Sequence, residues 1–259
     1  MSGQILLQRA GAVATVVISH PERLNALSLA MWRALADTIA TLNSDASLRC
    51  VVLRGDGERA FAAGADIAEF ATERCDSIRA RAYGEAIDRG MAAVRDCLHP
   101  TLAMIRGACV GGGMELAAVC DLRICSASSR FGVPVKNLGL VMGLHELQGL
   151  IALVGRARAL EIVLEGRIYN ADEAARMGLV NRVVSDDRLA AECAATVERI
   201  CAGAPLVARW HKSFANRLAD PQPLSEQELA QNYACFDSED FNIGYQAFLG
   251  KATPEFRGR

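Results

Sequence analysis

Three consecutive glycines, Gly111 to Gly113, stand directly before a segment with a helical pattern that begins at Met114. Glycine has no Cβ atom, so the backbone here can adopt positive φ angles and approach another group closely. The first N–H groups of a helix have no partner within the helix and carry the positive end of its dipole. Such a turn suits an anion or a developing oxyanion, although a tight strand-to-helix turn without a ligand would explain the glycines equally well.

Glu115, in the first turn of that helix, is the only charged residue between Arg106 and Asp121. Burial of the helix would desolvate the carboxylate and raise its pKa toward the range that suits acid–base catalysis. The helix N-terminus acts in the opposite direction, because it favours the anion. Glu115 is therefore a candidate acid–base group, and the alternative is a glutamate that only complements the helix dipole.

Spacing excludes two other functions of glycine-rich loops. A P-loop requires Lys and then Ser or Thr after its glycines, whereas Gly113 is followed by Met114. A dinucleotide-binding fingerprint requires a third glycine at the position of Leu116.

The elements that position this turn follow from the hydrophobic pattern, in which strands alternate with helices as far as residue 184. Beyond residue 187 the pattern is helical throughout. We therefore predict an α/β core at residues 1–195 and a helical segment at residues 196–259. The predicted strands are two short ones around Gly11 within residues 5–19, then residues 50–53, 101–105, 122–126 and 180–184. The predicted helices are residues 28–42 with Ser28 as N-cap, 77–97, 114–119, 157–164 and 171–177.

Composition excludes several classes of protein. The chain of 259 residues has a formal net charge of −2 and no basic block, so no nucleic-acid surface is predicted. No apolar stretch reaches about 18 residues without a charge, and residues 1–10 lack the pattern of a secretory signal. The nine cysteines form no C-x-x-C pair, which predicts buried reduced thiols and neither a disulfide framework nor a zinc site. We expect a cytoplasmic protein without a membrane partner.

Two sequence motifs resemble those of a known family. Ala60 to Ile67 (AFAAGADI) resembles the AF-x-AGAD signature of the crotonase superfamily, and Gly107 to Ala117 (GACVGGGMELA) resembles its G-x-x-x-GGG-x-EL-A element. The distance between the two motifs is also that of the family. Shorter matches along the rest of the chain are Asn25–Ser28, Cys120–Arg123, Phe131–Pro134, Leu164–Arg167, Ala174–Val180 and Ala247–Lys251. The whole chain is thus similar to enoyl-CoA hydratases and isomerases.

The resemblance implies a fold, an assembly and a substrate. The fold would be the crotonase (ClpP-like) α/β spiral of ββα units, with two near-perpendicular sheets. The C-terminal helices would form the contacts of a homotrimer, and such trimers often pair into hexamers. The substrate would be an acyl-CoA thioester, with no metal and no cofactor beyond the coenzyme A of the substrate.

The resemblance also implies site residues. The N–H groups of Ala65 and Gly112 would hold the thioester carbonyl oxygen, which becomes negative in the enolate. The residues expected to bind CoA or the acyl group are Arg23, Ala26, Leu27, Ala63, Ala65, Asp66, Ile67, Gly112, Val135, Phe248 and Lys251. Phe248 and Lys251 would reach CoA in a neighbouring subunit, although a packing phenylalanine and a solvated lysine explain them equally well. Asp66 also stands where it would cap the following segment.

One position departs from the family pattern. Hydratases of the family use two glutamates, and the second follows the Phe-Gly-x-Pro element, where this chain has Val135. A hydrocarbon cannot move a proton, and loss of one acid–base partner commonly costs about 10²–10⁴ in rate. His145 and Glu146 lie just beyond and are candidates for the missing group, unless both lie at a solvated helix start. Isomerases of the family generally keep the second carboxylate and lose the first, so they fit no better.

Three hypotheses follow. The first is hydration of a 2-enoyl-CoA through an enolate, with Glu115 as the acid–base group. The second is another reaction of the same enolate (isomerisation, thioester hydrolysis or decarboxylation) that uses His145 or Glu146. The third is a catalytically weak acyl-CoA-binding subunit. The absence of a carboxylate at Val135 supports this hypothesis, and the presence of Glu115 argues against it. In each case the walls of the acyl pocket are expected from residues 68–83 and 135–145.

Overall fold

Ten strands form two sheets in the computed structural model, which describes residues 2–259. Met1, the first residue of the predicted core, lies outside the described residues. The strands are β1 (Gln4–Ala10), β2 (Val13–Ser19), β3 (Cys50–Gly55), β4 (Ala60–Ala62), β5 (Thr101–Ile105), β6 (Ala108–Val110), β7 (Leu122–Ser126), β8 (Arg130–Gly132), β9 (Tyr169–Asn170) and β10 (Arg182–Val184).

The larger sheet has six strands in the order β1-β2-β3-β5-β7-β10, and the smaller has four in the order β4-β6-β8-β9. Pairing is parallel except for β1 with β2 and β8 with β9. In three successive units (β3–β4, β5–β6 and β7–β8) a strand of the larger sheet is followed by a strand of the smaller one and then by a helix. The chain therefore winds as a spiral of ββα units, which confirms the predicted fold.

The ten helices described within residues 2–259 cover the sheets and form the C-terminal part. They are α1 (Leu29–Asn43), α2 (Phe70–Glu73), α3 (Ser77–Arg95), α4 (Gly112–Ala118), α5 (Leu144–Glu165), α6 (Ala171–Met177), α7 (Leu189–Cys201), α8 (Pro205–Leu218), α9 (Glu226–Gln231) and α10 (Glu239–Gly250). Helix α1 begins as predicted, because the Ser28 hydroxyl accepts a hydrogen bond from the N–H of Met31.

The hydrophobic pattern predicts every strand of the larger sheet and none of the smaller one. Each strand of the smaller sheet has only two or three residues, which is too few for an alternating pattern to emerge. Residues 108–110, for which no strand is predicted, form β6 directly before the three glycines. Helix α5 begins well before the predicted start at residue 157, and Gly155, with φ of 77°, interrupts its regular geometry. That interruption explains why only the second half of α5 has a recognisable helical pattern.

Apolar side chains cover both faces of the larger sheet. On one face Val51 and Leu53 of β3 belong to the main core, which includes Trp32 and Leu35 of α1. On the other face Cys50 and Val52 pack with Leu189 and Cys193 of α7, as the alternation of a strand requires. Cys50 and Cys193 are unpaired and serve there as small apolar side chains.

Helix α8 is joined to the α/β part by a buried ion pair. The Nζ atom of Lys212 lies 2.8 Å from a carboxylate oxygen of Asp121 and donates to the carbonyl oxygen of His99 at 3.2 Å. The predicted boundary after residue 195 lies within α7, and the division into two parts stays a prediction.

Within residues 2–259 no helix combines the length and the apolar character needed to cross a bilayer.

Helix α4 packs closely on β4 because Gly113 has no side chain. A Cβ atom built on Gly113 would lie 2.1 Å from the carbonyl oxygen of Ala62. This contact brings the N-terminus of α4 to the loop that follows β4.

We expect Gly113→Ala to lower the free energy of unfolding by about 1–3 kcal/mol or more, because the new methyl group cannot fit without backbone movement. Gly84→Ala, in the middle of α3 with no heavy atom within 4 Å of its new methyl group, is the matched control. That variant should gain about 0.5–1 kcal/mol from helix propensity. Urea unfolding of both variants checks the prediction, and an equal effect of the two substitutions would contradict it.

Candidate active site

The glycine turn adopts a backbone conformation that favours glycine. Gly111 has φ of 50°, and its N–H donates to the carbonyl oxygen of Gly132 at 2.8 Å. Helix α4 begins at Gly112, so the N–H of Gly112 is the first of the helix and has no partner within it. The turn therefore presents a free donor at the positive end of a short helix.

A second loop, at residues 63–66 after β4, supplies another donor. Leu27 donates its N–H to the carbonyl oxygen of Gly64 at 2.7 Å, and its own carbonyl oxygen accepts the N–H of Asp66 at 2.9 Å. The intervening N–H of Ala65 faces away from Leu27, since successive N–H groups of an extended chain alternate in direction.

The two donors face the same space. Among residues 2–259 neither the N–H of Ala65 nor that of Gly112 has a hydrogen-bond acceptor. Both residues line one cavity, and a Cβ atom built on Gly112 would lie 3.8 Å from the carbonyl carbon of Gly64. Two free N–H groups in this arrangement can stabilise an oxygen that becomes negative during a reaction.

The turn at residues 23–27 supports the second loop. Asn25 is buried in the left-handed conformation with φ of 57°, which asparagine tolerates better than most residues. Its side-chain oxygen accepts the N–H of His20 at 3.0 Å, and its side-chain nitrogen donates to the carbonyl oxygen of Ala60 at 2.8 Å. Asn25 is thus the residue that joins this turn to β4.

The cavity has a volume of about 290 Å³ and a mainly apolar wall. Its apolar side chains are Trp32, Ala63, Ala65, Ile67, Phe70, Ile87, Val110, Pro134, Val135, Leu138, Leu140, Val141 and Met142. Its charged side chains, within the described part of the chain, are Arg74, Glu115 and Glu146. An apolar pocket with a few converging polar groups is the usual form of a small-molecule site.

Glu115 enters the cavity from the first turn of α4 and is only 6% exposed. No hydrogen bond from residues 2–259 stabilises its carboxylate. Burial raises the pKa of Glu115 well above its usual value, the negative charge of Glu146 raises it further, and the Arg74 guanidinium opposes both. Burial therefore favours the protonated form of Glu115, which can serve as an acid.

Glu146 enters the same cavity from the first turn of α5. One of its carboxylate oxygens accepts the N–H of Gly143 at 2.5 Å. Burial raises the pKa of Glu146, whereas the hydrogen bond from Gly143 and the positive charges of Arg74 and His145 lower it. The pKa of Glu146 is raised overall, but Glu146 has this hydrogen bond and Glu115 has none, so Glu146 ionises more readily than Glu115.

Of the two candidates for the missing acid–base group, only Glu146 reaches the cavity. His145 is exposed at the start of α5 and does not line the cavity. Val135, at the family's position for the second glutamate, does line it. The structure thus brings Glu115 and Glu146 together beside a hydrocarbon side chain.

The remaining predicted residues occupy three different places. Those that line the cavity, besides the two glutamates, are Ala63, Ala65, Ile67, Gly112 and Val135. Ala26 and Leu27 are buried in the supporting turn. Arg23 lies at the surface with its guanidinium 2.7 Å from the Asp66 carboxylate. Asp66 also accepts the N–H of Ala68, which makes it the predicted N-cap.

Phe248 and Lys251, at the end of α10, do not line this cavity. Phe248 is 83% exposed, and Lys251 is exposed in the left-handed conformation. Neither contributes to the cavity of its own chain.

Arg74 is a cavity residue that sequence reasoning missed. It follows α2, and its guanidinium carbon lies 4.8 Å from the ring centroid of Phe70 and 4.9 Å from that of Tyr83. The stretch 68–83 is expected to supply pocket walls, but it has no pattern that distinguishes Arg74 from the other arginines nearby. Its role depends on contacts that form only in the fold.

Comparisons with known proteins identify a family that covers nearly the whole chain. The model of the enoyl-CoA hydratase/isomerase family matches residues 8–259. The chain belongs to the enoyl-CoA hydratase/isomerase family. It is 33% identical to the short-chain-enoyl-CoA hydratase of Clostridium acetobutylicum over 98% of each chain. It is 32% identical to the crotonyl-CoA hydratase of Syntrophomonas wolfei over 97% of each chain.

A solved structure is similar throughout. The enoyl-CoA hydratase/carnithine racemase from Magnetospirillum magneticum has 50% sequence identity and a TM-score of 0.97, over 98% of this chain and 96% of that chain. Family membership and fold confirm the resemblance that rests on the two motifs. Those motifs form the two loops that present the free N–H groups.

The pKa shift of Glu115 has a consequence for stability. A pKa that is raised in the folded state means that folding favours the protonated carboxyl, so ionisation reduces stability as the pH rises. Relative to the native protein, Glu115→Gln should therefore gain about 1–3 kcal/mol of unfolding free energy between about pH 4 and pH 8.

Urea unfolding at the two pH values measures this difference. Glu173→Gln is a control of opposite sign, because the backbone N–H of Asn170 lowers the pKa of Glu173. That variant should lose stability at neutral pH, and the loss should vanish at low pH. A pH-independent effect of Glu115→Gln would contradict the assignment of a buried, neutral carboxyl group.

Proposed function

We propose that this protein hydrates 2-enoyl-CoA thioesters. The observation that carries the proposal is the pair of carboxyl groups, Glu115 and Glu146, in the same cavity as the two free N–H groups. The relatives named short-chain-enoyl-CoA hydratase and crotonyl-CoA hydratase support this substrate class. The reaction needs no cofactor other than the coenzyme A of the substrate.

The two N–H groups would act on the thioester. The N–H groups of Ala65 and Gly112 donate to its carbonyl oxygen, which polarises the conjugated double bond. When water adds to Cβ, electrons move toward that oxygen and form the enolate. Removal of one such donor typically costs about 10²–10³ in rate, so these groups are a major part of the catalysis.

The two carboxyl groups would move the protons. Ionised Glu146 accepts a proton from the water whose oxygen forms the bond to Cβ. Protonated Glu115 gives its proton to Cα as the enolate reverts to the thioester. A proton then passes from Glu146 to Glu115, which restores the starting state with no net gain or loss.

Glu146 would replace the glutamate that family hydratases have at the position of Val135. A carboxylate on each side of the reacting carbons is what hydration requires, whichever segment supplies it. Two buried carboxyl groups that differ in pKa favour an enzyme over a passive acyl-CoA-binding subunit. Burial of such a pair costs free energy, and pairs of this kind are typical of active sites.

We also propose a homotrimer, or a pair of trimers, with the C-terminal helices at the contacts. Large apolar side chains that are more than half exposed in α8–α10 and their connections support this assembly; they are Leu218, Tyr233, Phe236, Tyr245, Phe248 and Leu249. Phe248 and Lys251 would then reach the CoA of a neighbour. The nine unpaired cysteines, six of them buried, fit a reducing compartment such as the cytoplasm.

Hydration of crotonyl-CoA, followed by the loss of conjugated-thioester absorbance, tests the proposal. Glu115→Gln and Glu146→Gln should each lower kcat/KM by about 10²–10⁴, while Glu173→Gln at the surface should have no effect. Val135→Glu in the Glu146→Gln background should restore part of the rate, because it returns a carboxylate to the cavity. If the native protein binds crotonyl-CoA but does not hydrate it, the proposal is wrong and a binding subunit is favoured.

Exchange of the Cα protons of saturated butyryl-CoA in D2O separates the two glutamates, because this exchange forms the enolate without adding water. Glu115→Gln should abolish the exchange, since Glu115 is assigned to Cα. Glu146→Gln should retain it while hydration is lost. The reverse result, followed by proton NMR, would assign the two roles the other way round.

A further inference from the structure

The Arg74 guanidinium is held in the cavity wall by aromatic rings. Phe70 of α2 and Tyr83 of α3 contact it at distances typical of cation–π interactions. Tyr83 is fully buried, and its hydroxyl donates to the carboxylate of Glu69 at 3.2 Å, so this ring is a fixed support. The position of the cation is therefore set by the fold and not by a carboxylate partner.

Arg74 differs in this respect from two other arginines of the same region. Arg79 lies near Asp76 at 3.9 Å, and Arg89 pairs with Asp37 at 2.9 Å. Within the described chain no carboxylate lies at ion-pair distance from Arg74, whose side chain is half-buried beside the cavity. A guanidinium without a direct partner is available to act on charges across the cavity.

The charged groups that act on the carboxyl pair come from helices α3 and α5 and from the α2–α3 connection. Arg74 favours the ionised form of both Glu115 and Glu146. Asp88 of α3 opposes ionisation of Glu146, and His145 of α5 favours it. Arg74 is thus the cation that acts on both members, from a half-buried place in the cavity wall.

We propose that Arg74 is a positioning residue that supplies the counter-charge of the Glu115–Glu146 pair and keeps the pair at a single negative charge. This inference rests on the proposed hydration mechanism, in which one carboxyl group is ionised and the other is protonated. Two buried carboxyl groups without a nearby cation would both tend to be neutral, and no base would remain to accept the proton of water. Arg74 prevents this without a direct contact that would restrain either carboxylate.

The pH dependence of hydration by Arg74→Met tests the proposal. The acid limb of kcat/KM follows ionisation of Glu146, and the alkaline limb follows loss of the proton from Glu115. Removal of the cation raises both pKa values, so both limbs should move to higher pH. At pH values below the acid limb, the rate of the variant should be about tenfold below the native rate for each pH unit by which the limb moves. The rate should recover as the pH rises.

Two further variants make the result specific. Arg74→Lys retains the charge and should return the limbs most of the way to their native positions. Arg79→Met removes a neighbouring arginine whose side chain is 59% exposed, and it should leave the profile unchanged. An unmoved profile for Arg74→Met, or a rate lowered equally at every pH, would overturn the proposal, because either result indicates a structural or substrate-contact role.

A direct titration distinguishes failure of this inference from failure of the proposed function. The carboxyl carbons of 13C-labelled glutamate can be followed by NMR in the native protein and in Arg74→Met, with Glu146→Gln used for assignment. The Glu146 signal should titrate at higher pH in Arg74→Met whether or not the protein hydrates crotonyl-CoA. An unchanged titration overturns the role of Arg74 even if hydration is confirmed.

Discussion

The close contact between the N-terminus of α4 and strand β4 is the constraint on which the site depends. Gly113 lies so near the carbonyl oxygen of Ala62 that no side chain fits between them. This contact places the N–H of Gly112 beside the loop that carries Ala65, and the same helix turn carries Glu115 into the cavity. One backbone approach therefore determines two donors and one acid, and the two-sheet spiral provides it by placing β4 and β6 side by side.

The electrostatics of the cavity depend on the different surroundings of its two carboxyl groups. Glu115 has no hydrogen bond from residues 2–259, and burial favours its neutral form. Burial also raises the pKa of Glu146, but the hydrogen bond from Gly143 opposes that shift, so Glu146 gives up its proton more readily than Glu115. This arrangement lowers the stability of the fold, because burial of ionisable groups costs free energy that apolar side chains in the same place would not. That cost is typical of an active site.

Sequence reasoning succeeded where the signal is local and failed where it depends on tertiary contacts. The glycines, the Ser28 cap and the strands of the larger sheet have patterns that span enough residues to be recognised. The smaller sheet has strands of at most three residues, and its pairing comes from the spiral. His145 and Glu146 are adjacent, so no pattern separates them; only the direction of the first turn of α5 does. Arg74 lies in the cavity wall between two rings, of Phe70 and Tyr83, and the sequence does not show that the chain brings these three side chains together.

The place of the second carboxylate in the chain also has a physical consequence. Val135 begins a single turn of 3₁₀ helix (Val135–Leu138), whereas Glu146 lies in the first turn of α5, which is regular as far as the interruption at Gly155. A long helix offers unpaired N–H groups and a dipole that favour an anion, which a single 3₁₀ turn cannot match. The base is thereby stabilised by backbone outside the acyl pocket, and the wall at Val135 remains apolar for the substrate. The reaction therefore requires a carboxylate that faces the cavity and can ionise there. Either segment can supply that carboxylate for the same reaction.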